Sequence, residues 1–237
     1  PGRVYLPGYS RTMGPQSHLF AERERLQSLT WEYFDVKQLS PTIGAELVGL
    51  DLSQELTDEV VSEIQQALWD YKVIFFRNQE ITSEEQLRFA QRFGELEIHP
   101  FLPPNTETPE LVRFEKNANA AGYENQWHHD VTWREMPSQG AILRAIEIPP
   151  IGGDTLFVDA NAAYEGLTQE RKDEIDSLNA VHDFLRAFGR QVPKEKLAEM
   201  REMYPLVKHP VVINHHQTGK PLLLSLIHIS EPTRQAS

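Results

Sequence analysis

The 237-residue chain contains no cysteine, which removes disulfides, thiolate-bound zinc and cysteine nucleophiles and leaves any metal to nitrogen and oxygen ligands. Basic residues are outnumbered, 23 against 35 acidic ones, for a formal charge of -12. A balance of that sign repels phosphate backbones and offers no extended basic stripe, so nucleic acid is not an expected partner. Long apolar runs are missing too. Val73-Ile74-Phe75-Phe76 and Leu222-Leu223-Leu224 fall far below the roughly 20 residues that span a bilayer. The opening PGRVYLPGYSRTMG lacks the regions of a secretory signal, and the chain begins at Pro1 rather than Met, which reads as a fragment. The expected compartment is the cytoplasm and the expected partner a small-molecule substrate, with homo-oligomer formation left open.

What is present is ordinary for a globular domain, 40% apolar and 24% charged residues, together with nine histidines. One domain is expected. Residues 1–40 are polar and rich in turn formers and read as an extension with an entry strand. GAELVGLDLS (44–53) alternates as a half-buried strand does. TDEVVSEIQQALWDYK follows as a helix capped by Thr57, with Val60, Val61, Ile64 and Leu68 at helical spacing. Residues 73–76 then read as a short strand, and TSEEQLRFAQRFG as a second helix with a Thr82/Glu85 capping box and Gly94 at its end. From residue 111 the texture turns to strands in LVRFEK, WHHDVTW, AILRAIEI and DTLFVD, separated by PSQG and PPIGG turns. Helical pieces are expected over 161–167, 168–178 and 194–203, and HPVVINHHQTGKPLLL closes as a hairpin turning at QTGK.

WHHDVTW (127–133) carries the chemistry. On a strand, His128 and Asp130 point to one face and His129 to the other. A neutral imidazole and a carboxylate so placed can share a divalent ion, and a second histidine from elsewhere would complete the two-His, one-carboxylate arrangement of non-heme iron oxygenases. By itself a His-any-Asp triplet is weak, and a polar strand face or a hydrogen-bonded pair is the commoner origin of one.

The neighbouring motifs add to it. WHHDVTW taken with FGELEIHP (93–100), IPPIGGDTLFVDANAAYEGL (148–167), HDFLRAF (182–188) and HPVVINHHQTGKPLL (209–223) resembles the taurine and chlorophenoxyacetate dioxygenases, from about residue 40 to 223. The resemblance implies a mainly β domain with flanking helices, a double-stranded β-helix of jelly-roll, cupin-like type. It implies Fe(II), 2-oxoglutarate and O2, with hydroxylation of a C–H bond coupled to decarboxylation of 2-oxoglutarate to succinate. It places His128 and Asp130 as metal ligands, Thr155 against a 2-oxoglutarate carboxylate, and His99 and Phe188 beside the substrate. Trp127 and Trp133 flank the ligands and are expected to pack. Two positions depart from the taurine pattern: Glu124 stands where that branch has Asn, and Leu102 where it has Tyr. A carboxylate beside the pocket repels a sulfonate. The substrate class is accordingly left as a sulfonate, a sulfate ester or an aryloxyalkanoate.

Only 107 residues follow Asp130, and neither the distal histidine nor the cosubstrate-clamping arginine of the family pattern is among them. His209, His215 and His216 are the available imidazoles, but in the resemblance the HPVV segment is structural. LSLIHISEPTR (224–234) reads as the translation of a transposase sequencing adapter, so the genuine sequence is expected to end near Leu223 and His228 to carry no function. The organisation expected is an extension (1–40), a dioxygenase domain incomplete at its C-terminus (41–223) and a non-native tail (224–237). The parent reads as an active enzyme and this piece as inactive. A jelly-roll binding module without a complete metal site is the alternative, and a zinc hydrolase a third reading.

Overall fold

A computed structural model describes residues 16–98, 107–115, 127–189 and 192–224. It divides into two compact units, one of Leu19–Asn125 with Gly153–Asp159, the other of Pro1–His18, Gln126–Gly152 and Ala160–Ser237.

In the first unit, α1 (Ser17–Gln27) leads into β1 (Asp35–Gln38), β2 (Ala45–Val48), α2 (Asp58–Tyr71), β3 (Ile74–Phe75) and α3 (Ser83–Gln91). The three strands form one sheet in the order β1-β2-β3, with β1 antiparallel and β3 parallel to β2. The parallel pair needs a crossover, and α2 supplies it. Ala45 and Leu47 turn inward from β2 onto Ile64, Ala67 and Tyr71 of α2, with Leu26 and Phe89 closing the core. The expected stripe on α2 is rotated by about one residue. Val61 and Ile64 are buried, but Ala67 and Tyr71 complete the buried row while Val60 and Leu68 lie at its edges. Thr57 caps α2 and Thr82 with Glu85 forms the capping box of α3, both as read from the sequence.

Helix α1 replaces part of the expected extension. Its sequence has little amphipathic character, and it is held by tertiary contacts. Leu26 is buried, and the Arg25 guanidinium bridges Glu22 and Asp70 at 2.9 and 2.8 Å. These carboxylates hold the Arg25 pKa above its ordinary value, with burial opposing them. Lys72, left-handed at φ 68°, ends α2 and sends its Nζ to the Thr42 carbonyl at 2.6 Å and to Asp159 at 3.2 Å.

In the second unit, α4 (Ala160–Glu165), α5 (Gln169–Ile175), β4 (Asn179–His182), α6 (Phe184–Phe188), a 3-10 turn and α7 (Leu197–Met203) precede β5 (Val207–Pro210), β6 (Val212–Asn214) and β7 (Pro221–Leu223). β4 pairs with β5 and β6 with β7, each antiparallel. The closing hairpin is thus confirmed for β6 and β7, with left-handed Gly219 in its turn, whereas the HP at its start belongs to a different ladder. Trp133, Phe184 and Tyr204 form an aromatic cluster with centroids 4.7 to 5.2 Å apart.

Four expected strands are not strands here. Residues 111–115, 141–148 and 154–159 run without a ladder, and 127–133 is an open segment passing into a turn. The physical reason is that β-structure needs a second backbone to take up its N–H and C=O groups. No such partner lies among the described residues, and the apolar side chains stay in water, Ile146 at 75% and Leu156 at 72% exposure. The described residues make three small sheets with helices between them, not the two facing sheets of a jelly roll. No helix among them is long and apolar enough to cross a membrane.

Candidate metal centre

His128 and Asp130 come together by a different route from the one expected. The segment 127–129 is open, a turn runs from Asp130 to Trp133, and the Arg134 N–H closes it onto the Val131 carbonyl at 3.1 Å. His128 Nε2 lies 3.2 Å from Asp130 Oδ1, with the two side chains 54% and 61% exposed. The imidazole lone pair and the carboxylate therefore meet at an accessible point, which suits a shared divalent cation. Among the described residues no group of three His, Cys, Asp or Glu side chains converges on such a point, so the pair supplies part of a ligand set.

The turn is strained where it leaves the pair. Val131 is left-handed at φ 57°. For a β-branched residue this costs on the order of 1–3 kcal/mol and persists only where the surroundings hold it. Three side chains anchor the segment on either side of Val131. His129 Nε2 lies 3.2 Å from the Leu223 carbonyl. Burial lowers the His129 pKa from its ordinary value, with the carbonyl contact opposing. Trp133 is buried against Phe184 and Tyr204, the packing role expected of it, whereas Trp127 is 47% exposed. The third is His209, whose Nε2 stands 2.9 Å from both the Thr132 and the Arg134 carbonyl oxygens. Sequence reasoning placed His209 on a structural strand without a partner; its two acceptors lie 77 and 75 residues away, beyond the reach of any local pattern.

The other expected residues are placed separately. Thr155 is exposed, two residues after left-handed Gly152 and Gly153. Phe188 stacks on Phe184 with centroids 5.1 Å apart, at the end of α6. His99, Leu102 and Glu124 lie outside the described residues. An open groove of about 530 Å³ runs between Trp133–Glu135 and Met203–Lys208, and neither His128 nor Asp130 lines it.

A sequence model of the taurine catabolism dioxygenase TauD, TfdA family matches residues 35–235. An alkylsulfatase of Acinetobacter baylyi is 36% identical over 201 residues, covering 81% of this chain and 63% of the relative. An alpha-ketoglutarate-dependent sulfate ester dioxygenase of Pseudomonas putida is 35% identical over 198 residues, covering 80% and 65%. The chain therefore spans less than two thirds of the length of these relatives. Among solved structures, AAD-2 in complex with Mn(II) and N-oxalylglycine is similar at a TM-score of 0.63 and 29% identity, covering 82% of this chain and 70% of that one.

Proposed function

This chain belongs to the TauD/TfdA dioxygenase family, and from that premise we propose that the protein is an Fe(II)- and 2-oxoglutarate-dependent dioxygenase acting on an alkyl sulfate ester. The observation that carries the reading is the approach of His128 to Asp130 at 3.2 Å in an accessible position, which supports two of the three protein ligands of a two-His, one-carboxylate iron site. The Mn(II) and N-oxalylglycine in a structural relative support the same pairing of metal and cosubstrate, since N-oxalylglycine has the oxalyl head and distal carboxylate of 2-oxoglutarate.

His128 and Asp130 hold the metal, and Thr155 donates its hydroxyl to a cosubstrate carboxylate. The family resemblance assigns His99 and Phe188 to substrate binding, and Leu102 and Glu124 are the positions at which the chain departs from the taurine branch. The fold proposed with this function is the jelly roll. Fe(II) held by His128 and Asp130 would supply the redox chemistry that divides O2 between the decarboxylation of 2-oxoglutarate to succinate and the hydroxylation of a substrate C–H bond. With hydroxyl on the carbon that bears the sulfate, the C–O bond to sulfate breaks, giving an aldehyde and hydrogen sulfate. The protein's residues orient and desolvate; they hold the reacting C–H within reach and keep water out. Sulfate is favoured over sulfonate because the two relatives described above are an alkylsulfatase and a sulfate ester dioxygenase; the departures at Glu124 and Leu102 bear on taurine alone. A complete site needs one protein ligand beyond the pair, and that ligand is assigned to the longer protein.

The test uses protein expressed from the full reading frame of the gene. Succinate formation from 2-oxoglutarate with Fe(II) is measured against alkyl sulfates, sulfonates and aryloxyacetates, beside His128→Ala. Alkyl sulfates are expected to stimulate succinate and release sulfate, and the variant to lose both. If the full-length protein neither binds iron nor forms succinate, the enzyme reading fails and a binding module stands in its place.

A further inference from the structure

Exposed as they are, His128 and Asp130 receive little restraint from packing, so their mutual orientation depends on the backbone that joins them to the rest of the unit. That backbone passes through left-handed Val131 directly after Asp130. His129 and Trp133 are held through their own side chains. His209 alone of the three anchors acts on the main chain beyond Val131: a single ring nitrogen lies 2.9 Å from the carbonyls of Thr132 and Arg134. Both partners are acceptors only, so Nε2 carries the hydrogen and donates to the two in a three-centre bond.

The ring is itself fixed. His209 is buried on β5 opposite Ala180 of β4, and its imidazole lies edge-on against that of His182, centroids 4.9 Å apart at 81°. The anchor is thus a paired strand, a rigid body on which a turn can be hung.

We propose that His209 is a positioning residue of the metal centre: its Nε2–H grips the carbonyls of Thr132 and Arg134, holds Val131 left-handed, and thereby keeps the Asp130 carboxylate turned toward His128. The proposal rests on the metal reading given above and adds a residue that contacts neither ligand. Groups that orient metal ligands from behind typically change affinity roughly 10–100-fold when removed.

The experiment is Mn(II) binding by the full-length protein, read from the loss of the free-ion electron paramagnetic resonance signal, with thermal midpoints recorded in parallel. His209→Phe keeps ring volume and removes the donor, and is expected to raise the Mn(II) Kd about tenfold or more at temperatures where the protein is folded. His209→Gln returns an amide N–H near the same point and is expected to restore affinity to within about threefold of the parent. Folded His209→Phe with unchanged affinity, or failure of His209→Gln to restore it, overturns the proposal. If His209→Phe does not fold, His209→Asn, too short to span to both carbonyls, takes its place with the same expectation. His128→Ala separates the two readings: loss of Mn(II) in His128→Ala with no effect at His209 refutes the clamp alone, whereas Mn(II) binding unchanged in His128→Ala refutes the metal site and the clamp with it.

Discussion

Asp183 joins β4 to α6 and through it supports the aromatic cluster behind the metal turn. Its Oδ1 caps α6 by accepting from the Leu185 N–H at 2.8 Å, while the Arg201 guanidinium grips both carboxylate oxygens at 2.8 and 3.0 Å, tying α7 to the same point. Losing a helix cap costs about 1 kcal/mol. The partly exposed ion pair contributes roughly 0.2–1 kcal/mol. Asp183→Ala is therefore expected to destabilise by about 1.2–2 kcal/mol, whereas Asp183→Asn keeps the cap and loses only the pair, at most about 1 kcal/mol. The pH dependence has a definite sign. The bonds from Arg201, with burial opposing, hold the Asp183 pKa below its ordinary 3.8. A carboxylate depressed on folding contributes stability that is present above the unfolded pKa and is lost as pH falls through the folded one. The gap between parent and Asp183→Asn should then persist at pH 7 and 5 and close below the ordinary carboxylate range. Urea unfolding of the three proteins at pH 7, 5 and 3 measures it. Equal costs for Asn and Ala, or a parent-to-Asn gap that does not change with pH, would refute the assignment of cap and ion pair to this side chain.

Two further outcomes follow from the packing. Ile64 is fully buried in the core of the first unit, so Ile64→Ala should cost about 2–5 kcal/mol in urea unfolding, and a loss below 1 kcal/mol would mean the site collapses or is not core. Val131→Gly removes left-handed strain of about 1–3 kcal/mol against an entropic cost near 0.5–1 kcal/mol, so its thermal midpoint should stay level or rise, and a clear fall would show that Val131 does not adopt φ 57°.

Where a reading depended on a few consecutive residues, the fold follows it. Thr57 and Thr82 cap the helices they precede because a hydroxyl three residues before an unpartnered N–H is a local arrangement. Glu85 completes the box for the same reason. The rotated stripe on α2 was not legible, because whether Leu68 or Ala67 faces inward depends on the sheet and on Leu26, neither of which lies within the helix. Helix α1 was hidden for a related cause: Leu26 buries against a core built from later residues, and Arg25 finds Asp70 across 45 positions. The strands expected over 141–148 and 154–159 show the converse. Their apolar content is real, but pairing is a property of two segments, and among the described residues the second segment is missing.

The sequence by itself determined the absence of thiols, the acidic balance and a His-any-Asp pair among motifs of one dioxygenase family. Only the tertiary structure decided how that pair is held. A triplet read as an ordinary strand is a turn with a left-handed valine, and the residue that spans its carbonyls lies 77 positions on, next to a second buried histidine. The residue types of the pair are local to the sequence, whereas the hydrogen bonds that hold its segment join positions distant in sequence and exist only once the chain has folded.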